Sequence, residues 1–244
     1  MARLEAGVRG ASVESDMYQP AHHRFEVEDP ASLLAELAPG VPATLVTLSS
    51  EGLRASILPM LFERAGAGAD AEGAPLGILR GHLARPNPQW RDLDPNVEAL
   101  AIFDGPDTYV SPAFYDEKRR TGKVVPTWNY VTVLAHGTIT LHPEPEWLLP
   151  HVRRLVDRHE ATRAQPWKLD DAPADYVDGQ IRAIVGLELT ITRLEAKRKL
   201  TQNRSAEDFE GTIAGLEAGS PREQAVAAEM RRESPRAHRP RPEP

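Results

Sequence analysis

The sequence contains no cysteine among its 244 residues. This absence excludes disulfide bonds, thiolate catalysis and zinc or iron–sulfur sites built on cysteine. The chain also lacks an apolar run near the roughly 18 residues that a membrane helix needs, so no membrane span is predicted. Residues 1–16 mix charges with Gly and Ser instead of forming a continuous apolar segment, so we expect no secretory signal and a cytoplasmic location.

Several common site signatures are missing as well. No nucleophile elbow, Walker loop or Gly-x-Gly-x-x-Gly fingerprint occurs, which leaves the usual hydrolase, nucleotide-triphosphate and Rossmann functions without support. The histidines never fall at the i, i+4 spacing with a glutamate that marks a helical zinc site, so no metal site is predicted. The formal net charge of −7 argues against a large nucleic-acid footprint, because phosphate neutralisation dominates DNA affinity.

The residues that are present predict one globular unit between two tails. The composition, 41% hydrophobic and 27% charged, is ordinary for a globular protein, and the chain is long enough to bury a core. Residues 1–16 show no periodicity and are predicted to be disordered. Residues 234–244 alternate proline with charge, a composition that does not pack and predicts a second disordered tail. The folded domain is therefore predicted to span 17–233.

The middle of the chain is predicted to be rich in β-strands. Residues 43–48 and 53–62 flank a turn-type cluster at 49–52 and predict a hairpin. The clearest strand covers 184–195, where apolar and polar side chains alternate with the period of two expected of a half-buried strand. Further strands are predicted over 77–84, 98–103, 108–110 and 130–141. Six or seven strands suffice for a barrel.

Capping signals predict helices around these strands. Three pairs place a capping residue before a proline at the first helical position: Asp29-Pro30, Asn87-Pro88 and Ser111-Pro112. Ser220 and Glu223 form a capping box for a last helix that ends near Arg232. A longer helix is predicted over 152–162, with Pro150 tolerated only in a first turn. A β-barrel with peripheral helices is an α+β fold.

The segment from Gly81 to Arg91 is the first candidate binding site. A strand ends at Ala84, Arg85 follows, and Asn87 opens a helix whose N-terminal N–H groups favour an anion. Arg85 would add a charge-assisted fork, which predicts a phosphate site. On spacing alone, an equal alternative is that Asn87 only caps the helix and Arg85 pairs with a surface acid.

The second candidate site combines aromatic and polar side chains. Trp128 and Tyr130 offer aromatic faces, while Thr127 and Asn129 supply polar groups that match the edge of a heterocycle. The competing interpretation places both aromatic side chains in the core. The basic run from Lys197 to Arg204 follows the clearest strand and either closes the same site or, as we predict from its charge, is a solvated basic turn.

Five motifs occur in order along residues 17–233. They are Met17 to His22, Gly81 to Arg91, Gly105 to Pro112, Gly122 to Tyr130 and Lys199 to Arg204. Together they resemble the PaiB-type family of FMN-binding negative transcriptional regulators. The resemblance implies an FMN-binding split barrel related to the pyridoxamine phosphate oxidase group, with homodimers that carry flavin sites at the subunit interface.

The resemblance also implies which residues contact FMN: Arg85, Asn87, Thr127, Trp128, Asn129, Gln202 and Asn203. The first two would hold the phosphate. Trp128 and Asn129 would border the isoalloxazine, and the last two would contribute polar contacts from the partner chain.

The chain departs from the family pattern in two places. Relatives tend to read Asn-His-Leu-Pro where this chain has Ser56-Ile57-Leu58-Pro59, and they carry a tryptophan at the position of Arg198. Both changes alter a wall of the pocket. Some members of the broader group, piperazate synthases among them, bind haem, for which His82 or His136 would be the ligand here. The alternative is that each histidine is a hydrogen-bonded structural residue.

Three function classes follow from the resemblance. The first is a flavin-binding negative transcriptional regulator, and the acidic charge and the lack of a recognisable helix-turn-helix favour indirect regulation. The second is an oxidoreductase in which flavin carries the chemistry. The third is a haem-dependent enzyme. An absorbance spectrum distinguishes them, since flavin gives two near-visible bands and haem a Soret band.

Overall fold

The computed structural model describes residues 17–18, 27–66 and 74–237. The predicted N-terminal tail, 1–16, lies outside the described residues. The described strands are β1 (Ala43–Ser49), β2 (Gly52–Leu58), β3 (Leu61–Arg64), β4 (Gly77–Ala84), β5 (Ala99–Val110), β6 (Thr127–His142) and β7 (Ile184–Lys199). They form one antiparallel sheet in the order β2-β1-β5-β6-β7-β4-β3.

The sheet closes into a barrel because its two edge strands are consecutive in the chain. β2 ends at Leu58, β3 begins at Leu61, and β2 also contacts β4. Alternate side chains of every long strand point inward and are removed from water, as the period of two requires. The inward side chains include Leu45, Leu79, Phe103, Val133, Leu187 and Leu189.

Helices lie at the periphery of the barrel. Their ranges are α1 (Pro30–Leu37), α2 (Gln89–Asp92), α3 (Asp116–Arg120), α4 (Pro145–Glu160), α5 (Ala174–Arg182), α6 (Ala206–Glu217) and α7 (Pro221–Ala237). α1, α6 and α7 add apolar side chains to the barrel core, among them Leu34, Phe209, Ile213, Val226 and Met230. The predicted α+β barrel with peripheral helices is therefore confirmed.

The caps that the sequence predicts are present at three helices or turns. The Asp29 carboxylate accepts from the backbone N–H of Ser32, 3.1 Å away, and Ser220 and Glu223 exchange the two bonds of a capping box. Ser111 caps a 3₁₀ turn rather than an α-helix. α7 continues to Ala237, five residues past its predicted end, so the boundary that we placed before residue 234 falls inside this helix. Residues 238–244 lie outside the described residues.

Some predicted boundaries are wrong. The strand predicted over 53–62 is interrupted after Leu58, where Pro59 cannot donate a ladder hydrogen bond. The two strands predicted over 98–103 and 108–110 form one strand, β5, since a bulge between Asp104 and Asp107 absorbs the irregularity. The helix predicted from residue 152 begins at Pro145 and contains the exposed Pro150, which removes one helical hydrogen bond on the solvent side.

A second bulge decides which side chains of β7 face outward. Gly137 pairs with Ile191 while the adjacent His136 pairs with Arg193, so Thr192 is an extra residue. Before the bulge the odd-numbered residues of β7 point into the barrel, and after it the even-numbered residues do. The outward residues after the bulge are therefore Arg193, Glu195, Lys197 and Lys199.

Candidate functional site

The outward side chains of four neighbouring strands form an apolar surface. The ladder aligns Ile57 of β2 with Thr44 of β1, Thr44 with Ile102 of β5, and Ile102 with Leu134 of β6. Ile57 is 74% exposed and Leu53 is 77% exposed. We call this surface the outer apolar face, formed by Val46, Leu48, Leu53, Ile57, Leu100, Ile102 and Leu134.

Beside the outer apolar face, β7 presents charged side chains that we call the cationic stripe: Arg193, Glu195, Lys197 and Lys199. Three cations and one carboxylate give it a formal charge of +2. Glu195 forms an ion pair with Arg193 and accepts a hydrogen bond from the backbone N–H of Met17. The middle of the stripe is shielded from water, since Glu195 is 9% and Lys197 6% exposed, whereas Arg193 and Lys199 are half-buried. The prediction of a solvated basic turn here is wrong, since the strand continues through these residues to Lys199.

The Lys199 ammonium is the least compensated charge of this group. Its Nζ donates to Thr127 Oγ1 at 2.6 Å and to the carbonyl oxygen of Trp128 at 2.5 Å, and both acceptors are neutral. Burial, together with the nearby Lys197 charge, lowers the pKa of Lys199. Both lysine Nζ atoms lie 5.8 Å from the centre of the Tyr130 ring. Within the described ranges, Lys199 has no ion pair with a carboxylate.

An exposed aromatic pair borders this end of the stripe. Trp128 and Tyr109 face each other across β5 and β6 with ring centres 6.4 Å apart. Trp128 Nε1 donates to Asp107 at 2.9 Å, and Arg222 holds the same carboxylate. Although burial opposes it, hydrogen bonds from Arg222 and Trp128 keep the pKa of Asp107 below its ordinary value. The competing core interpretation fails for Trp128, which is 45% exposed.

Asn129 lies on the inner side of the sheet, away from Trp128. Its side chain is fully buried, accepts a hydrogen bond from the Thr201 hydroxyl at 2.9 Å and contacts Met230 Sδ at 3.5 Å. Successive residues of a strand point to opposite faces, so Trp128 and Asn129 cannot border the same ligand from one face. Asn129 instead connects β6 to α7.

Gln202 and Asn203 follow the end of β7. Gln202 closes the turn on itself, since its Oε1 accepts from the Leu200 N–H at 2.7 Å and its Nε2 donates to the Arg198 carbonyl. Asn203 is exposed. These two residues lie near Lys199 in sequence, but only Asn203 presents its side chain to solvent.

Arg85 and Asn87 lie at the other end of the β6–β7 ladder. Arg85 Nε donates to the Arg182 carbonyl at 2.7 Å and Nη2 to the Ile184 carbonyl at 2.8 Å, which leaves Nη1 for a ligand. Asn87 Oδ1 accepts from the N–H of Gln89 at 2.9 Å, and its Nδ2 donates to Ser56 Oγ at 2.9 Å. Because α2 begins at Gln89 with Pro88 as its N-cap, the predicted Asn87 cap lies one residue before the helix boundary. Since Ile184 begins β7 and Lys199 ends it, roughly 50 Å of strand contour separates the two predicted subsites.

The two candidate haem ligands occupy different surfaces. His82 Nδ1 lies 3.2 Å from Nε2 of His151, beneath α4. His136 is on the outer side of β6, with Nδ1 3.1 Å from Arg193 Nη2. Across the described part of the chain, no group of three or more histidine or acidic residues has the arrangement of a metal site. The helices described here include none that is long and apolar enough to cross a membrane.

Comparison with known proteins identifies relatives of this chain. A family model described as "Putative FMN-binding domain" matches residues 17–193. The chain is 32% identical over 242 residues to an uncharacterized Aspergillus fumigatus protein, covering 84% of this chain and 89% of that one. It is 36% identical to an uncharacterized Emericella nidulans protein, with 58% of this chain and 66% of the relative covered.

Two further matches extend the comparison. The Bacillus subtilis protease synthase and sporulation protein PAI 2 is 30% identical over 57% of this chain and 64% of its own length. The match therefore spans less than two thirds of the Bacillus protein. The structure of the flavocytochrome Anf3 from Azotobacter vinelandii superposes with a TM-score of 0.50 at 16% identity, covering 80% of each chain, and shows the shared fold. With the family model matching well over half of its length, the chain belongs to this FMN-binding domain family and has its split-barrel fold.

Proposed function

We propose that this protein binds FMN on the outer side of β6, next to Trp128 and Tyr130, and acts as a regulatory flavoprotein of the PaiB type. One observation carries the proposal: the half-buried ammonium of Lys199, which has no carboxylate partner among the residues that the structure describes, lies beside two outward aromatic side chains at the edge of an apolar surface. A flat apolar ring with an anionic tail matches these three features. Bound FMN would supply electron and hydride transfer, which the side chains themselves lack.

The residues of the site have separate tasks in this proposal. Trp128 offers an aromatic face whose orientation Asp107 fixes. The Tyr130 side chain, next to both lysines, would lie between the isoalloxazine ring of FMN and the cationic stripe. The outer apolar face excludes water from one side of the ligand, and this strengthens every polar contact that the ligand makes.

We expect Trp128→Ala to weaken FMN binding about tenfold, because stacking on an aromatic side chain contributes on the order of 1 to 2 kcal/mol. Folding stability should change little, since Trp128 is 45% exposed. The measurement is quenching of FMN fluorescence on titration with protein, beside thermal unfolding. Trp167→Ala is the matched control because Trp167 is 44% exposed and lies beyond α4. Equal losses in both variants would contradict the assignment.

The outer apolar face supports a homodimer. Its exposed aliphatic side chains come from β1, β2, β5 and β6, and a two-fold axis over such a face buries it against its own copy. A stable interface of standard size removes about 800 Å² from each partner.

We expect the double substitution Leu53→Asp and Ile57→Asp to raise the dimer dissociation constant at least about 100-fold. Both side chains are exposed within one chain, so the fold tolerates the change, while two carboxylates buried at an interface are costly. Sedimentation equilibrium measures the change. Tyr176→Asp on α5, where Tyr176 is 59% exposed, is the control and should leave the association unchanged. A parent protein that is monomeric at micromolar concentration contradicts the dimer.

Regulation is proposed to be indirect. The net charge of −7 disfavours contact with DNA phosphates. The test of the whole proposal is the absorbance spectrum of the protein after reconstitution with excess FMN and removal of free ligand. Two flavin bands support FMN binding, whereas a Soret band on the protein as purified supports the haem-dependent alternative.

A further inference from the structure

We propose that Lys199, at the end of the cationic stripe, binds the phosphate group of the flavin and so selects FMN over riboflavin. This inference rests on the proposed function and adds to it the atoms that recognise the anion. It also assigns the phosphate to β7 rather than to the Arg85 turn at the other end of the same ladder.

The first reason is the unused donor of Lys199. An ammonium group carries three N–H donors, and the structure gives two of them to Thr127 Oγ1 and the Trp128 carbonyl. These neutral acceptors fix Nζ in position without neutralising it. The third donor and the full charge are therefore available to a ligand, and the ammonium is held beside Trp128 before any ligand arrives.

The second reason is the charge around Lys199. Its two acceptors, Thr127 Oγ1 and the Trp128 carbonyl, are both neutral. The neighbouring Lys197 charge repels the Lys199 ammonium. A phosphate monoester carries about −1.5 to −2 charges at neutral pH. Such a group at Lys199 would attract the ammonium and offset this repulsion.

The third reason is that Arg85 has a structural task. Its guanidinium donates to the carbonyls of Arg182 and Ile184, which connects the end of β4 to the start of β7. Only Nη1 remains for a ligand. Moreover, no aromatic side chain with the exposure of Trp128 lies within that turn, where Trp90 is half-buried and donates to the Arg85 carbonyl.

The experiment compares two ligands that differ only in the phosphate. FMN and riboflavin are titrated into the full-length protein, and dissociation constants are read from flavin fluorescence. Lys199→Met should weaken FMN binding about tenfold to a hundredfold, the loss expected for a charge-assisted contact. Riboflavin binding should change less than about threefold. Lys199→Arg should retain most of the preference for FMN, and Lys123→Met, at an exposed lysine, is the control.

Each outcome decides the assignment. If Lys199→Met weakens FMN but not riboflavin, the phosphate lies on β7. If Arg85→Ala removes the preference while Lys199→Met retains it, the phosphate lies at the Arg85 turn and this inference fails, although the proposed function stands. If the parent protein binds neither flavin, the proposed function fails and this inference fails with it. Far-ultraviolet circular dichroism of every variant establishes that a lost affinity is not a lost fold.

Discussion

Acidification from pH 7 to pH 4 is expected to destabilise the protein by about 3 kcal/mol through His151 alone. His151 is 3% exposed, and its Nε2 lies 3.2 Å from Nδ1 of His82. Burial, the neighbouring His82 and the cations of Arg154 and Arg80 lower the pKa of His151 to about 4. Burial also lowers the pKa of His82.

The sign follows from which state takes the proton first. In the unfolded chain a histidine titrates near pH 6.5, whereas His151 in the folded chain stays neutral until about pH 4. As the pH falls, His151 is protonated in the unfolded state at a higher pH than in the folded state. The stability that neutral His151 contributes is therefore complete above pH 6.5 and is lost progressively between pH 6.5 and 4.

The surroundings of His151 explain why its protonation is unfavourable in the folded state. Arg80 is held by Glu63 and Glu188, and Arg154 of α4 by Glu63. Those carboxylates already have cationic partners. If both rings were protonated, the hydrogen bond between His82 and His151 would also be lost, because two imidazolium rings can only donate.

Urea unfolding at pH 7 and pH 4 measures the effect. Between pH 7 and pH 4, His151→Gln should lose about 3 kcal/mol less unfolding free energy than the parent, because glutamine does not titrate. Its amide is long enough to keep a hydrogen bond to His82. His159→Gln, at an exposed position of the same helix, should retain the parent's dependence. The explanation fails if the parent and His151→Gln lose the same free energy on acidification.

Much of the fold is predictable because local chemistry and tertiary structure agree. β4 has its predicted bounds, and the Asp29 and Ser220 caps begin their helices. The helix α6 has no counterpart among the predictions, and its sequence shows the reason. It contains Gly211 and Gly215, which disfavour a helix locally. Both are required by close packing, since an added Cβ would lie within 2.4 Å of Phe114 at either position.

The site is less predictable than the fold. Trp128 and Thr127 are recognisable as candidates because their residue types suit a heterocycle. From the sequence, Lys197 and Lys199 are predicted to lie in a solvated turn. The sequence does not show that neighbouring strands and Met17 lie against this charged run and bury it. Asn129 looks equivalent to Trp128 in composition, but strand alternation directs it inward to Thr201. Only the register of the sheet shows that Trp128, Lys197 and Lys199 share the outer surface while Asn129 faces inward.

That register depends on one close approach between β6 and β7, at Gly137. An added Cβ there would lie 2.1 Å from the Thr190 carbonyl oxygen and 2.8 Å from a methyl carbon of Leu189. Gly137 also adjoins the bulge that turns Arg193 and the lysines outward. A backbone oxygen cannot move aside as a flexible side chain can, so any residue larger than glycine forces the two strands apart.

We therefore expect Gly137→Ala to destabilise the protein by at least about 3 kcal/mol. FMN affinity should fall together with stability, because the same bulge positions Lys199 beside Trp128. Chemical unfolding and flavin titration measure the two effects. Gly179→Ala in α5 is the matched control, since outside its chain neighbours and the backbone of its own helix turn no described atom lies within 4 Å of its added Cβ. Alanine there should stabilise the helix by up to about 1 kcal/mol. A Gly137→Ala variant as stable as the parent would show that the ladder adjusts freely at the bulge, and the outward direction of the cationic stripe would then need another cause.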